Sequence, residues 1–323
     1  MNELLTYWEF KELMKILVTG GMGFVGSHLV ESLSKNKHEI LVLTKTFSKK
    51  SNTKNFSKNV EIKKLDITCF KKLERIMDEF FPDIIIHLAG NTSHSKSFED
   101  PLTDVDSNTK TTLFMLEKIR QSNSSCKFIL GSTFIVTGKP NKLPVNEKTP
   151  CNPSTIYGTN RLASEHLCSI YHKVYGIKTN TFRITNSYGP REQIIPNKNA
   201  VNFLIYQAYR KERLSIFYKG EFFRDIIFID DVIRGIVTIM KKGKPGELYW
   251  ISSNKKLWFK DLAKILQKMT SCNIDFIEAP KYTKKVDVGN FVVSNSKLKK
   301  LGWKPKIDIN LGIKRTLDYF NSL

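Results

Sequence analysis

Tyr157 and Arg161 stand four positions apart in YGTNR, a spacing that sets both on one side of a helix. A tyrosine hydroxyl can pass a proton to or from a substrate oxygen, but its reference pKa is about 10. Bringing it toward about 7 takes roughly 4 kcal/mol of preference for the phenolate, at about 1.36 kcal/mol per unit. A fixed cation close by can supply part of that. A second pattern lies near the start, in TGGMGFVGSHL, where Gly20, Gly23 and Gly26 are spaced GxxGxxG. The first glycine allows a tight turn, and the second lets the backbone approach a pyrophosphate. The third permits close packing of helix on strand, with the anion at the helix N-terminus. The motif follows a strand-like run and opens a helix-like one, so it predicts dinucleotide binding.

Which dinucleotide is read about 20 residues further on, where an acidic residue would bind the ribose 2′-hydroxyl of NAD. Thr44 stands there instead, with Lys45, Lys49 and Lys50 behind it. A carboxylate would repel the 2′-phosphate of NADP, whereas a hydroxyl and lysines accept it. The expectation is NADP in preference to NAD. Asp66, after the third strand-like run, is placed to accept from an adenine amino group.

The elements that must position these residues alternate. KILVTG, EILVLT, PDIIIHLAG and CKFILGS are short apolar runs, separated by segments such as FVGSHLVESLSKN and CFKKLERIMDEFF with apolar residues three and four apart. That order predicts an α/β, Rossmann-type doubly wound parallel sheet with a smaller mixed C-terminal substrate domain. The dinucleotide domain is expected over residues 14–185, completed by about 226–242, with 186–323 mostly a discontinuous substrate domain and 1–13 an extension. In that extension Leu4, Leu5, Trp8 and Leu13 could form one side of a short helix, or translation could begin at Met14.

Composition excludes several classes. With 323 residues, 41% of them hydrophobic and 26% charged, the chain reads as a globular protein with a core. No apolar stretch approaches the ~20 residues of a membrane span. Five scattered cysteines without a CxxC pair argue for a reducing, cytoplasmic setting and against a structural zinc. The formal charge of +21 comes without any nucleic-acid-binding signature, so it is read as a lysine-rich surface around a site for small anions.

Taken in order, TGGMGFVGSHL, KKLDIT, DIIIHLAG, DSNTKTT, GSTFIVTG, YGTNR, RITNSYGPRE and FFRDIIFIDDV resemble the extended short-chain dehydrogenase/reductases, in particular the nucleotide-sugar epimerase/dehydratase group. The resemblance implies Tyr157 as catalytic acid/base, Thr133 as the hydroxyl that polarises the sugar C4 oxygen, and Arg161 in the place of a lysine. It implies Gly20, Gly23, Phe24, Val25, Gly26, Thr44, Lys45, Asp66, Ile67, Leu88, Ala89, Gly90 and Asn108, with Tyr157 and Arg161, as the cofactor's surroundings. Thr92, Thr133, Asn186 and Arg224 are implied on the nucleotide sugar, Arg224 at its diphosphate. A homodimer is implied too, through TKTTLFMLEKIRQ and the Tyr157 helix.

Three departures bear on the reaction. Phe134 and Ile135 occupy the positions of an acidic pair in the 4,6-dehydratases of the group, which disfavours a dehydratase. Thr137 replaces a tyrosine of the VYG segment, a change expected to reshape the sugar pocket. Arg161 stays charged and cannot relay a proton as lysine can. What the resemblance implies is hydride transfer at C4 of a nucleoside-diphosphate sugar, foremost in an epimerase, alternatively in an NADPH-dependent 4-keto-sugar reductase. A non-catalytic dinucleotide-binding sensor or scaffold is the reading of another class. Among lesser features, His87 reads as a core or cofactor-side residue and His94 as a sugar contact, while Asp230 and Asp231 are expected to cap the helix after them.

Overall fold

The computed structural model describes residues 13–47, 52–195 and 199–323. Leu4, Leu5, Trp8, Lys49 and Lys50 lie outside the described residues. The first half runs β1 (Lys15–Thr19), α1 (Phe24–Ser34), β2 (Glu39–Thr44), β3 (Val60–Lys64), α2 (Phe70–Phe80), β4 (Ile84–His87), α3 (His94–Glu99), α4 (Pro101–Val105), α5 (Thr111–Ser122), β5 (Lys127–Thr133), α6 (Ile156–Tyr175) and β6 (Thr179–Ile184). A π-helical turn, Asp106–Lys110, joins α4 to α5. The second half runs β7 (Asn186–Tyr188), α7 (Ala200–Tyr209), β8 (Leu214–Phe217), β9 (Phe223–Arg224), β10 (Ile226–Phe228), α8 (Ile229–Lys242), β11 (Leu248–Ile251), β12 (Leu257–Trp258), α9 (Phe259–Thr270), β13 (Ile274–Ile277), α10 (Lys281–Val286), α11 (Ser296–Lys299) and α12 (Ile309–Asn321).

Seven parallel strands form the central sheet in the order β11-β6-β5-β4-β1-β2-β3. Each apolar run is buried on both faces, as helix-covered parallel sheets require. Alternation along the strands sorts the side chains into two layers. Leu17, Leu41, Ile85 and Phe128 face α2, α5 and α6 through Leu73, Met115, Leu116 and Tyr171. Their neighbours Ile16, Val18, Ile40, Val42 and Ile86 face α1 and α8 through Leu29, Val30, Ile236 and Ile239. Strand order reverses between β1 and β4, which opens a crevice beyond their carboxyl ends, where open α/β sheets bind ligands. Gly20 and Ala89 leave the sheet at that point.

The last strand of the sheet, β11, comes from residues 248–251, so the dinucleotide half is completed beyond the expected 226–242. Three two-stranded pairs make up the rest: β7 with β10, β9 with β12 and β8 with β13. The segment FFRDIIF is divided at Asp225 into β9 and β10. That buried carboxylate accepts from the backbone N–H groups of Ser253, Asn254 and Val293 and from the Ser253 hydroxyl. Burial raises its pKa to about 6 despite those bonds. Asp230 and Asp231 do not cap α8, whose N-cap is Phe228 with no side-chain cap. They lie in its first turn instead, where acidic side chains favour the helix dipole. Asp231 accepts from Lys306 N and Ile307 N at 2.9 Å each, and Asp230 pairs with Arg315.

A methyl group at Gly26 would overlap the Gly20 carbonyl and sit 2.7 Å from the Gly21 Cα, whereas one at Gly23 would stand 3.2 Å from the Gly20 oxygen. Overpacking of backbone against backbone costs about 1–3 kcal/mol or more. Gly26→Ala is therefore expected to lower the free energy of unfolding by at least about 2 kcal/mol, and Gly23→Ala by less than half as much. Paired urea titrations check the order of the two.

Candidate active site

At the start of α1 the chain leaves helix donors open. No side chain caps the helix at Gly23, and its first turn holds no acidic residue. Backbone N–H groups there suit a pyrophosphate. Gly20 has φ +70°, and a Cβ on it would lie 2.9 Å from Ala89 N, so the two sheet-end loops touch. The Thr19 hydroxyl fixes the second loop by accepting from Ala89 N at 3.2 Å and meeting His87 Nδ1 at 2.7 Å. Leu88 N donates to Thr19 O. Phe24 and Val25 are half-buried at the first turn of α1.

Thr155 caps α6, accepting from Gly158 N at 2.9 Å, and this sets the first turn that carries Tyr157. Tyr157 is buried at 7% exposure, and Arg161 at 5% lies one turn on. Burial raises the tyrosine's pKa; the Arg161 charge and a hydrogen bond with Thr133 pull it down, and Asp104 pushes it up again. Thr133 ends β5, and its hydroxyl also accepts from Ile135 N at 3.3 Å. The His94 ring stacks on that of Tyr157, with centroids 5.5 Å apart and planes at 29°.

A polar network lies under this group. Arg161 Nη1 donates to Asn108 Oδ1 at 3.3 Å, and its Nε is buried without a partner among the described residues. Asn108, in the π-helical turn, donates to Asn91 O at 3.3 Å, and its own carbonyl accepts from Thr112 and Ser164. Asp104 is fully buried and accepts from Asn91 Nδ2 and Asn160 Nδ2, both at 2.7 Å. Gly90 has φ +147°, and any Cβ on it would overlap Asn108 Oδ1. The orphaned Arg161 Nε and the open α1 donors together fit a dinucleotide laid from the glycine loop toward Tyr157. Sequence reasoning missed Asn91, Asp104 and Asn160. Each of them is bound by a partner from another segment of the chain, so no local pattern signalled them.

Tyr157, Thr133, Arg161, Asn108, Ala89 and Gly90 come together at the crevice. Thr44 is buried, and its hydroxyl donates to Thr46 O at 2.8 Å. Lys45 pairs with Asp66 at 2.8 Å, so the residues expected at the ribose and the adenine are themselves joined. Ile67 is buried beside them and Thr92 is exposed in the loop before α3. Asn186 donates to Asp225 O at 3.3 Å. The buried Arg224 guanidinium is held by Asp287 and by the Gly289 and Phe223 carbonyls. Thr137 is buried. Among the described residues no group of His, Cys, Asp and Glu could hold a metal ion, and no helix is long and apolar enough to cross a membrane.

A doubly wound sheet, a glycine loop at its switch point and a tyrosine one helical turn from a cation define an extended short-chain dehydrogenase/reductase. The family model described as GDP-mannose 4,6 dehydratase matches residues 17–316, and the chain belongs to that family of NAD-dependent nucleotide-sugar epimerases and dehydratases. It is similar to the crystal structure of UDP-glucose 4-epimerase with UDP-glucose from Thermotoga maritima, at 30% identity, TM-score 0.88, and coverage of 96% of this chain and 99% of that one. The UDP-glucuronic acid 4-epimerase of Bacillus cereus, solved with UDP-glucuronic acid and NAD, is 28% identical with TM-score 0.84, over 96% and 99% of the two chains. The dTDP-glucose 4,6-dehydratase of Salmonella typhimurium is 27% identical over 95% of this chain and 92% of its own.

His87 gives the site a pH signature. It is fully buried, its Nε2 has no partner among the described residues, and burial with the nearby Arg161 charge lowers its pKa from 6.5 to about 3. The folded pKa lies below the unfolded one, so the neutral ring's contribution is whole above about 6.5 and is lost as pH falls toward about 3. Replacing it by Asn removes that titration. The thermal midpoint of wild type should fall more steeply between pH 6.5 and 4 than that of His87→Asn, as scanning calorimetry across that range would measure.

Proposed function

We propose that the chain is a nucleotide-sugar epimerase that acts at C4 of a nucleoside-diphosphate sugar. The observation that carries this reading is the setting of Thr133. Its hydroxyl shares one polar spot with the Tyr157 phenol, and the two residues after it, Phe134 and Ile135, pack into an apolar cluster with Phe291 and Val293. Elimination of water needs an acid and a base beside that hydroxyl, and these positions hold neither. Tyr157 moves the proton of the C4 hydroxyl, Thr133 donates to the same oxygen, and Arg161 favours the phenolate. A bound nicotinamide would supply the acceptance and return of a hydride at C4, so epimerisation would consume no cofactor. Asn186 and Arg224 hold the nucleotide end, Arg224 at the diphosphate.

The same reading assigns residues 14–185, completed by about 226–242 and by β11, to the dinucleotide and most of 186–323 to the substrate. A homodimer through α5 and α6 belongs to it, supported by the exposed Leu113, Ile170 and Val174 on those helices. UDP-glucose or UDP-glucuronic acid should be converted to its C4 epimer with no net change in reduced-nicotinamide absorbance. Tyr157→Phe should cut kcat by about 10²–10⁴-fold. A 4-keto-6-deoxy product, followed by proton NMR, would overturn the assignment.

For the cofactor the reading takes NADP in preference to NAD. Its support is the absence of a carboxylate at Thr44 and the presence of Lys45 next to it. Lys45 is shared with Asp66, which tempers its pull on a 2′-phosphate. This same feature favours the second reading, a 4-keto-sugar reductase that consumes NADPH. Calorimetric titration of both dinucleotides should give the lower Kd for NADP; tighter binding of NAD would remove the preference.

A further inference from the structure

We propose that His94 is a specificity-determining residue of this site, with its ring packed on Tyr157 and its nitrogens serving a hydroxyl of the sugar. The inference rests on the epimerase reading and deepens it. Its first support is position. The imidazole lies on the face of the phenol that is to exchange the C4 proton, close to parallel with it. A group there borders whatever oxygen the phenol serves.

The second support is how the loop that carries His94 is built. Ser93 caps α3, accepting from Lys96 N at 3.3 Å, and its own N–H donates to Asn91 Oδ1 at 3.0 Å. Asn91 is in turn bound to Asp104 and Asn108. Asp104 also binds Asn160, the residue before Arg161. The histidine and the tyrosine on which it stacks are thus tied to a single buried carboxylate from opposite sides. Further along α3, Phe98 meets Tyr282 of α10 edge to face, with centroids 5.7 Å apart. This is a fixed placement of the kind that specificity needs.

The third support is the unspent chemistry of the ring. Burial alone lowers the His94 pKa, and no charged or hydrogen-bonding neighbour contributes to the shift. A neutral imidazole carries one donor and one acceptor, and among the described residues nothing polar engages either. His94 is half-buried, so a small ligand can still reach the ring. A sugar hydroxyl, itself both donor and acceptor, matches what the ring offers.

Three variants test this in steady-state kinetics with the nucleotide sugar that wild type epimerises. His94→Phe keeps the stack and removes the nitrogens. It should raise KM about tenfold, the worth of one hydrogen bond, while kcat stays within about threefold. His94→Gln keeps a donor and an acceptor but loses the stack, so it should hold KM nearer wild type and lower kcat. His94→Ala should lose both. A wild-type KM in His94→Phe would make the ring mere packing and overturn the proposal. If His94→Phe fails to fold, His94→Gln decides: a KM raised as far as that of His94→Ala counts against the nitrogens. A wild type that binds the dinucleotide but neither binds nor turns over UDP-glucose, UDP-glucuronic acid or dTDP-glucose overturns the epimerase reading and this inference together. Normal wild-type turnover with an indifferent His94→Phe overturns only this one.

Discussion

One buried carboxylate organises the candidate site. Asp104 has no access to water and accepts from the side-chain amides of Asn91 and Asn160. The two amides come from different segments, Asn91 from the loop after β4 and Asn160 from the first turns of α6. Had these segments been joined only by apolar packing, a one-residue slip would cost little. A buried acceptor with two directional donors makes slips expensive, because any misregister leaves polar groups unpaired in a dry interior. The placement of Tyr157 against Thr133 and His94 depends on that register.

Arg161 is better understood from this network than from comparison with lysine. Its guanidinium is buried, and among the described residues its one side-chain hydrogen bond is to a neutral amide, Asn108 Oδ1. Buried charge without a carboxylate partner is unfavourable for the folded chain on its own. That positive charge opposes the rise that burial imposes on the phenol's pKa and also disfavours protonation of His87. A closer acid would make the arginine more comfortable and less useful. The planar side chain reaches Asn108 with one nitrogen and leaves its Nε for another partner, a division that an ammonium group makes differently.

Much of this was legible in the sequence, for identifiable reasons. The runs KILVTG, EILVLT and PDIIIHLAG are apolar throughout, and only a strand buried on both faces needs that. The glycine spacing and YGTNR are local motifs, so they could be read without knowing what lay across from them. What escaped reading was long-range. Asp104 and Asn160 are far apart in sequence, and nothing local marks either as buried. FFRDIIF is divided into β9 and β10 at Asp225, which gathers donors from residues 253, 254 and 293 that no local pattern announces. Asp230 and Asp231 have the composition of a cap, but Trp303, Lys306 and Ile307 meet Asp231 from the C-terminal segment and give it other work. Local rules fail where a side chain's partner is supplied from a distance.

The contribution of β11 bears on how the molecule comes into being. Six strands of the central sheet are synthesised by residue 184, yet the free edge of β6 has to wait for residues 248–251. During synthesis the emerging chain therefore carries an unsatisfied row of backbone groups, the kind of edge that recruits strands from other molecules. Everything between, including Arg224 and α8, must leave the ribosome before that edge is covered. The cofactor-binding half is thus not a module that matures first and then acquires a substrate-binding partner. The two halves are obliged to finish together, and a chain stopped short of Ile251 would expose an adhesive border rather than a smaller working protein.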